Sequence, residues 1–172
     1  TLDGNSNVCA NADEIYAAPS NFGADNLWTV TGGTIIGPQN TRIIHVTWGA
    51  AGLGSIKLIQ NITSTGYADN VLENVKINAI PPKPTVTETD GILSSSVRDG
   101  NQWYYNGAKI MAAVSQTYNA QQTTGYYSVQ VTDSNGCTSA MSDIYKFVSG
   151  VEDNTNPDFD VNIFPNPSDG AM

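Results

Sequence analysis

The sequence predicts an all-β protein, built from two small β-sandwiches in tandem. No stretch of its 172 residues sustains the i, i+3, i+4, i+7 apolar spacing of an amphipathic helix. Short runs of alternating apolar and polar residues recur instead, and Gly, Asn, Asp or Pro bound each of them. Charged residues make up only 13% of the chain, so Asn, Thr, Ser, Gln and Gly supply most of its polarity. That composition suits strands joined by turns.

The first block of alternating runs covers residues 1–80. The run at 55–62 has the cleanest alternation, and 74–80 closes the block with a nearly regular one. Gly32-Gly33 predicts a hairpin turn between the runs on either side of it. The strands predicted in this block are residues 14–18, 27–31, 34–36, 43–48, 55–62 and 74–80.

A proline-rich segment, residues 81–84, follows the first block. Its sequence is Pro-Pro-Lys-Pro. Prolines cannot donate hydrogen bonds to a sheet and favour a stiff, extended connection. We therefore predict a domain junction there.

The second block covers residues 85–149. Asn106-Gly107 is a strong signal for a type I′ hairpin turn, and residues 125–133 form a long β-rich run. The strands predicted in this block are residues 85–89, 92–96, 102–105, 108–110, 125–133, 137–139 and 144–148.

The remaining residues divide into a linker and a terminal motif. Residues 150–160 are acidic and rich in Asn, which predicts a flexible linker. Residues 161–172 alternate at Val161 and Ile163, continue through Pro-Asn-Pro, and end in a Ser-Asp-Gly turn. This pattern predicts a strand that a tight turn stops, and the plain alternative is an ordinary strand and turn without any further role.

The terminal motif resembles the opening of the C-terminal sorting domain (type A) of proteins exported by the type IX secretion system of Bacteroidetes. The resemblance implies a secreted or cell-surface protein whose partner is the secretion machinery, and a sorting domain of which only the first strand is present. The residues that carry it are Val161, Ile163, Pro165, Asn166, Pro167 and Gly170.

The two blocks resemble modules that such exported proteins contain. The first is similar to PKD-like modules, on the segments 28–33, 46–48 and 52–58 together with Cys9. It lacks the second cysteine that these modules often carry near residues 66–67. The second block is similar to bacterial Ig-like modules, on the segments 101–107, 125–129 and 135–137. The resemblance places Trp103 in the core of that module, without the intradomain cysteine pair of antibody domains.

The net charge and the apolar content limit the binding partners that the protein can have, and the two cysteines raise the question of a disulfide. Seven basic residues against sixteen acidic ones give a formal charge of −9, which argues against nucleic acid and anionic membranes as partners. No stretch approaches the ~18–20 apolar residues of a membrane-spanning helix, so membrane insertion is not expected. Cys9 and Cys137 lie in different blocks, and the sequence leaves open whether they are paired or free.

Catalytic and metal-binding patterns are sparse, and we predict no enzyme activity and no cofactor. The single histidine, His45, lies in an apolar run with no nucleophile motif nearby, which favours a surface histidine. One histidine and two distant cysteines do not predict a zinc site. Asp133 and Asn135 favour an Asx-type turn, with a Ca²⁺ site as the alternative.

Aromatic residues supply the candidate ligand contacts. Neighbouring aromatics on a strand point to opposite faces, so each Tyr-Tyr pair places one ring outward. The candidates are Tyr104, Tyr105 and Tyr126, and the ligand would be a surface polysaccharide or another extracellular molecule.

Three functions follow from these patterns. The first is a non-catalytic stalk or adhesion-type module with a sorting region. The second is a carbohydrate-binding accessory module of a secreted hydrolase, which requires exposed aromatic rings and excludes buried Trp28, Trp48 and Trp103. The third is an enzyme fragment, which requires a pocket that gathers His45 or two close carboxylates.

Overall fold

The computed structural model describes residues 2–20, 23–62, 65–120 and 123–149, and these residues form strands, turns and loops with no α-helix. The all-β prediction of tandem sandwiches is confirmed. The strands are β1 (Asn7–Cys9), β2 (Asp13–Ala17), β3 (Asp25–Thr31), β4 (Gly33–Ile36), β5 (Ile43–Trp48), β6 (Gly52–Ile62), β7 (Tyr67–Asn78), β8 (Val86–Thr89), β9 (Ile92–Ser95), β10 (Asn101–Tyr105), β11 (Ala108–Lys109), β12 (Thr117–Asn119), β13 (Gly125–Val131) and β14 (Tyr145–Phe147).

The first sandwich packs a four-stranded sheet, in the order β1-β7-β6-β3, against a three-stranded sheet, in the order β2-β5-β4. Strands β6 and β7 form a long antiparallel hairpin, and β1 pairs with β7 in parallel. Alternation along β5 sends Ile44, Val46 and Trp48 inward and His45 outward. The buried core consists of Leu2, Val8, Tyr16, Ala18, Trp28, Ile44, Val46, Trp48, Ile56, Leu58, Val75 and Ile77.

Strands β3 and β4 lie in different sheets, so the hairpin predicted at Gly32-Gly33 is wrong. Strand β3 pairs with β6, whereas β4 pairs with β5. Gly32 has a φ of 76°, and a Cβ at this position would lie 3.0 Å from the Cα of Gly54. A glycine is needed because the chain turns sharply between two backbones that approach closely. The two glycines therefore mark a crossing from one sheet to the other.

The second sandwich packs the sheet β11-β10-β13-β14 against the sheet β12-β9-β8. The turn between β10 and β11 has positive φ at both Asn106 (48°) and Gly107 (80°), which confirms the predicted type I′ hairpin. The buried core consists of Leu93, Trp103, Ala120, Tyr127, Val129 and Phe147.

Two elements of the second sandwich differ from the prediction. Strand β12 has no counterpart among the predicted strands, and the strand predicted at 137–139 is reduced to an isolated bridge between Thr132 and Thr138. There the Oγ of Ser139 accepts a hydrogen bond from the Val131 N–H at 3.0 Å. The Ser139 hydroxyl thus accepts the hydrogen bond that a backbone carbonyl would accept in a regular antiparallel ladder.

The proline-rich segment is held against the second sandwich. Pro84 is buried, and Lys83 forms an ion pair with Asp143. Thr85, the residue that follows the segment, is already bound to the second sandwich, since the Ser96 N–H donates to the Thr85 carbonyl at 2.9 Å. In the described ranges β1–β7 pair only among themselves, as do β8–β14. The residue-level boundaries 1–80, 81–84 and 85–149 stay predictions.

Candidate functional site

Cys9 and Cys137 form a disulfide that joins the two sandwiches. The S–S distance is 2.04 Å, the Cα atoms are 5.5 Å apart, and the two residues are 128 positions apart in sequence. Cys9 ends β1 of the first sandwich, and Cys137 follows the turn after β13 of the second. Of the two alternatives that the sequence left open, the structure has the paired one.

A hydrogen-bonded turn positions Cys137. The carboxylate Oδ1 of Asp133 accepts hydrogen bonds from the N–H of Cys137 at 2.8 Å and of Asn135 at 2.9 Å. The bond to Asn135 is the predicted Asx-type turn. These donors, the Cys137 N–H first, hold the pKa of Asp133 below its ordinary value. Asp133 therefore fixes the backbone that presents the sulfur.

Strand pairing and a buried amide position Cys9. Cys9 lies opposite Asn78 in the parallel pair of β1 and β7. The buried side chain of Asn78 donates to the Val8 carbonyl at 2.9 Å and to Asn7 Oδ1 at 2.8 Å. The Ala10 N–H donates to the Asn78 carbonyl at 2.8 Å. Both ends of the bridge are therefore tied to their own sandwich.

No metal site accompanies this junction in the part of the chain that the structure describes, where no group of three or more His, Cys, Asp or Glu residues is placed to hold an ion.

The candidate tyrosines divide between the two faces of the β10–β13 sheet. Tyr104 lies opposite Ser128 on the outer face, and its hydroxyl is 3.3 Å from Gln130 Oε1. Tyr126 is on the same face and is 52% exposed. Tyr105 packs against the core instead, 5.2 Å from the ring of Tyr127. Its hydroxyl donates to the Thr124 carbonyl at 3.1 Å.

An open apolar groove of about 630 Å³ lies beside Tyr126. Met141 and Ile144 form its other wall and are 37% and 72% exposed. The Tyr126 N–H donates to Asn106 Oδ1 at 3.0 Å, which fixes the hairpin at one end of the groove. Met141 and Ile144 are not among the ligand contacts predicted from the sequence; the available signal was one apolar residue at the start of the predicted strand 144–148 and another three positions before it.

The three tryptophans are core residues, so the tryptophan platform that a carbohydrate-binding module would use is not there. Trp28, Trp48 and Trp103 are at most 2% exposed. Each indole N–H has a partner: the Thr41 carbonyl, the Tyr16 hydroxyl and the Ser115 carbonyl, respectively. Buried indoles with satisfied donors act in packing and not in ligand contact.

His45 is exposed on the outer face of β5, as the surface interpretation predicted. Its cross-strand neighbours are Ile15 on β2 and Ile36 on β4. An isoleucine therefore lies directly opposite the imidazole on each neighbouring strand.

The sorting motif lies outside the described residues. Val161, Ile163, Pro165, Asn166, Pro167 and Gly170, and the acidic linker 150–160, all fall in this part of the chain. Among the described residues, no helix has the length and apolar character of a membrane span.

Comparison with known proteins gives structural likeness only. No protein-family model matches the chain, and no curated protein matches it significantly. Among solved structures, the fibronectin(III)-like modules of Clostridium thermocellum CbhA align over 82% of this chain and 90% of theirs, at 14% identity and a TM-score of 0.45. The glucan-utilisation protein SGBP-B of Bacteroides ovatus, solved with a mixed-linkage heptasaccharide, aligns over 84% of this chain and 43% of its own, at 14% identity and a TM-score of 0.32.

A fragment of intimin, solved with the intimin-binding domain of its receptor Tir, aligns over 88% of this chain and 64% of its own, at 10% identity and a TM-score of 0.41. Likeness at this level assigns neither a family nor a ligand to this chain. The chain is an all-β protein of two β-sandwiches in tandem.

Proposed function

We propose that this chain is a non-catalytic, stalk- or adhesion-type region of a secreted or cell-surface protein. We base the proposal on the Cys9–Cys137 disulfide, which joins two sandwiches at residues 128 positions apart. Structural disulfides form and persist in oxidising compartments and are rare in the cytosol. A bridge held by ordered backbone at both ends therefore favours a place outside the cytosol.

The junction suits a spacer. Two covalent connections cross it, the disulfide and the segment 81–84, and buried Pro84 with the Lys83–Asp143 ion pair holds that segment to the second sandwich. Two connections remove most of the freedom that a single linker allows. Such a region holds a neighbouring domain at a defined orientation.

We further propose that residues 161–172 begin a sorting domain recognised by the type IX secretion machinery. The test is export of a fluorescent reporter fused to residues 151–172 and their natural continuation, in hosts with an intact or a deleted type IX apparatus. Export that requires the apparatus, and that is lost when Pro165, Asn166 and Pro167 are replaced by Ala, is the expected result.

The matched control replaces Asn154, Thr155 and Asn156 of the acidic linker by Ala, which leaves the motif intact and should leave export unchanged. Export from neither strain, or equal export from both, would contradict the sorting role. It would leave the extracellular assignment to rest on the disulfide alone.

The buried tryptophans contradict the hydrolase accessory module, but the exposed ring of Tyr126 favours a different second candidate, binding of a surface polysaccharide to this single ring. Tyr126 stands over the groove beside Met141 and Ile144, and an exposed tyrosine is a surface on which a sugar ring can stack. Binding of soluble polysaccharides, measured by titration calorimetry, should be lost in Tyr126→Ala. It should be retained in Leu72→Ala, a matched change at a 63% exposed residue of the first sandwich. Equal binding by both variants would exclude the groove.

A further inference from the structure

The disulfide joins residues near the two ends of the described chain. Cys9 is preceded by residues 2–8 and Cys137 is followed by residues 138–149. Nearly all of both sandwiches lies in the stretch between the two cysteines. Of the residues in the two buried cores, those outside that stretch are Leu2, Val8 and Phe147.

We propose that the Cys9–Cys137 bond gives this region a mechanical function: it is the path that carries tension between the chain's two ends. Tension applied at residue 2 and residue 149 passes along residues 2–9, crosses the disulfide, and leaves along residues 137–149. Residues 10–136 form a closed loop between the two cysteines, lie outside this path and bear no tension. The biological use of this path rests on the proposed stalk role, whereas the path itself follows from the covalent connectivity.

Both anchor points are held by backbone that resists local displacement. Cys137 is fully buried, and its N–H is bound by Asp133. Cys9 is half-buried and pairs in parallel with the last strand of its sandwich. Tension that reaches either cysteine is transmitted through the covalent disulfide, and the hydrogen-bonded ladders of β3, β5 and β10 are not loaded.

Two segments lie outside the disulfide-closed loop, residues 2–8 and 138–149, and tension can pull these two flanks away from the sandwiches. On the amino-terminal side, Asp3 is held by two backbone hydrogen bonds to Ala17, of 3.1 and 2.8 Å. On the carboxyl-terminal side, β14 pairs with three residues of β13. Peeling both flanks frees about 60–70 Å of chain at ~3.3–3.6 Å per residue.

Without the disulfide, unfolding of both sandwiches frees the loop as well. The two cysteines are 128 positions apart and their Cα atoms are 5.5 Å apart in the folded protein. At ~3.3–3.6 Å per residue, the loop adds about 420–460 Å of contour length, roughly six to seven times the length that the flanks supply. The two forms are thus separated by a length that single-molecule methods resolve easily.

The test is force-extension measurement on the whole 172-residue chain, held in an optical trap by handles at its two ends. The oxidised protein should lengthen by only about 60–70 Å between residues 2 and 149, and the oxidised and reduced forms are compared with the same handles. After reduction of the disulfide with a phosphine, the same protein should lengthen by a further 420–460 Å or so. The Cys9→Ser, Cys137→Ser double variant should behave as the reduced protein does, and the phosphine should leave its extension unchanged.

Release of the full loop length by the oxidised protein would overturn the proposal, because tension would then run through the sandwiches. Release of only the flank length by the reduced protein would overturn it too, because a connection other than the disulfide would be holding the loop. Should the double variant fail to fold, the oxidised and reduced wild-type protein still decide. Since no secretion step is involved, failure of the type IX assignment leaves this result unaffected, and the reverse also holds.

Discussion

Replacement of Tyr16 by Phe should remove an alkaline instability of the first sandwich. Tyr16 is 1% exposed, its hydroxyl donates to the Asn5 carbonyl at 2.6 Å, and it accepts from the Trp48 indole N–H at 3.1 Å. Burial raises the pKa of Tyr16 from 10.0 to about 12. The folded protein therefore keeps the phenol protonated at pH values where the unfolded chain releases the proton.

The sign of the effect follows from the raised pKa. Its contribution to stability is complete below the unfolded pKa of 10.0 and is lost as the pH rises through the folded pKa of about 12. At pH ~11 the free energy of unfolding should already be lower by about 1.4 kcal/mol, since one pKa unit corresponds to ~1.36 kcal/mol. The full loss, above both pKa values, is about 3 kcal/mol.

Urea unfolding of the oxidised protein, followed by tryptophan fluorescence from pH ~8 to ~11, measures the loss. Tyr16→Phe should be less stable than wild type at neutral pH by about 1–3 kcal/mol, because the buried Trp48 N–H loses its acceptor. The variant should also lose less stability than wild type between pH ~10 and ~11. Parallel pH profiles for the two proteins would refute the assignment of the alkaline loss to Tyr16.

Two further predictions concern turns of the second sandwich. Gly100→Ala should lower the free energy of unfolding in urea by about 3 kcal/mol, because φ is +77° and the new Cβ would lie 2.1 Å from the Thr132 carbonyl oxygen. Gly107→Ala is the matched control, since its φ is +80° but nothing lies within 4 Å of the new Cβ, and it should lower the free energy by only about 1 kcal/mol. Equal losses would show that the Thr132 contact does not matter. Asp133→Ala should lower the urea midpoint at neutral pH by freeing the Cys137 N–H. The pKa of Asp133 is lower in the folded protein than its ordinary value of 3.8, so the carboxylate stabilises the fold above that pH and stops doing so once it is protonated. The difference in urea midpoint between the variant and wild type should therefore shrink as the pH falls below 3.8. A difference that stays constant down to pH ~2 would contradict this.

Local patterns were sufficient where strand, face and turn depend on neighbouring residues. Alternation in 43–48 identified β5 and placed His45 outward, because side chains on a strand change face at every residue. Asn106-Gly107 identified its turn because few other pairs tolerate positive φ at both positions. The alternation in each Tyr-Tyr pair was also correct: Tyr126 faces solvent and Tyr127 the core.

Patterns failed where distant parts of the chain decide the outcome. Strand β7 begins at Tyr67, whereas the predicted strand begins only at residue 74; residues 69–73 contain two acids and an asparagine, which have a low β-propensity. Pairing with β6 along its whole length overrides that weak local preference. The crossing at Gly32 and the Cys9–Cys137 bond depend on how whole sheets approach one another, and no spacing along the chain reports that.

The parallel pairing of β1 with β7 has a consequence for the order in which the first sandwich assembles. Asn7 lies opposite Lys76, so β1 has no strand to pair with in its sheet until about seventy further residues have been synthesised. Closing a loop of that size has a large entropic cost, which is offset only after the strands have formed their contacts. Such long-range pairing slows folding. The other strands of the sandwich can meet earlier, through the β6–β7 hairpin and through the neighbours of β5. We therefore expect the strand that carries Cys9 to dock after the other strands, so that its half of the disulfide is positioned late in the assembly of this sandwich.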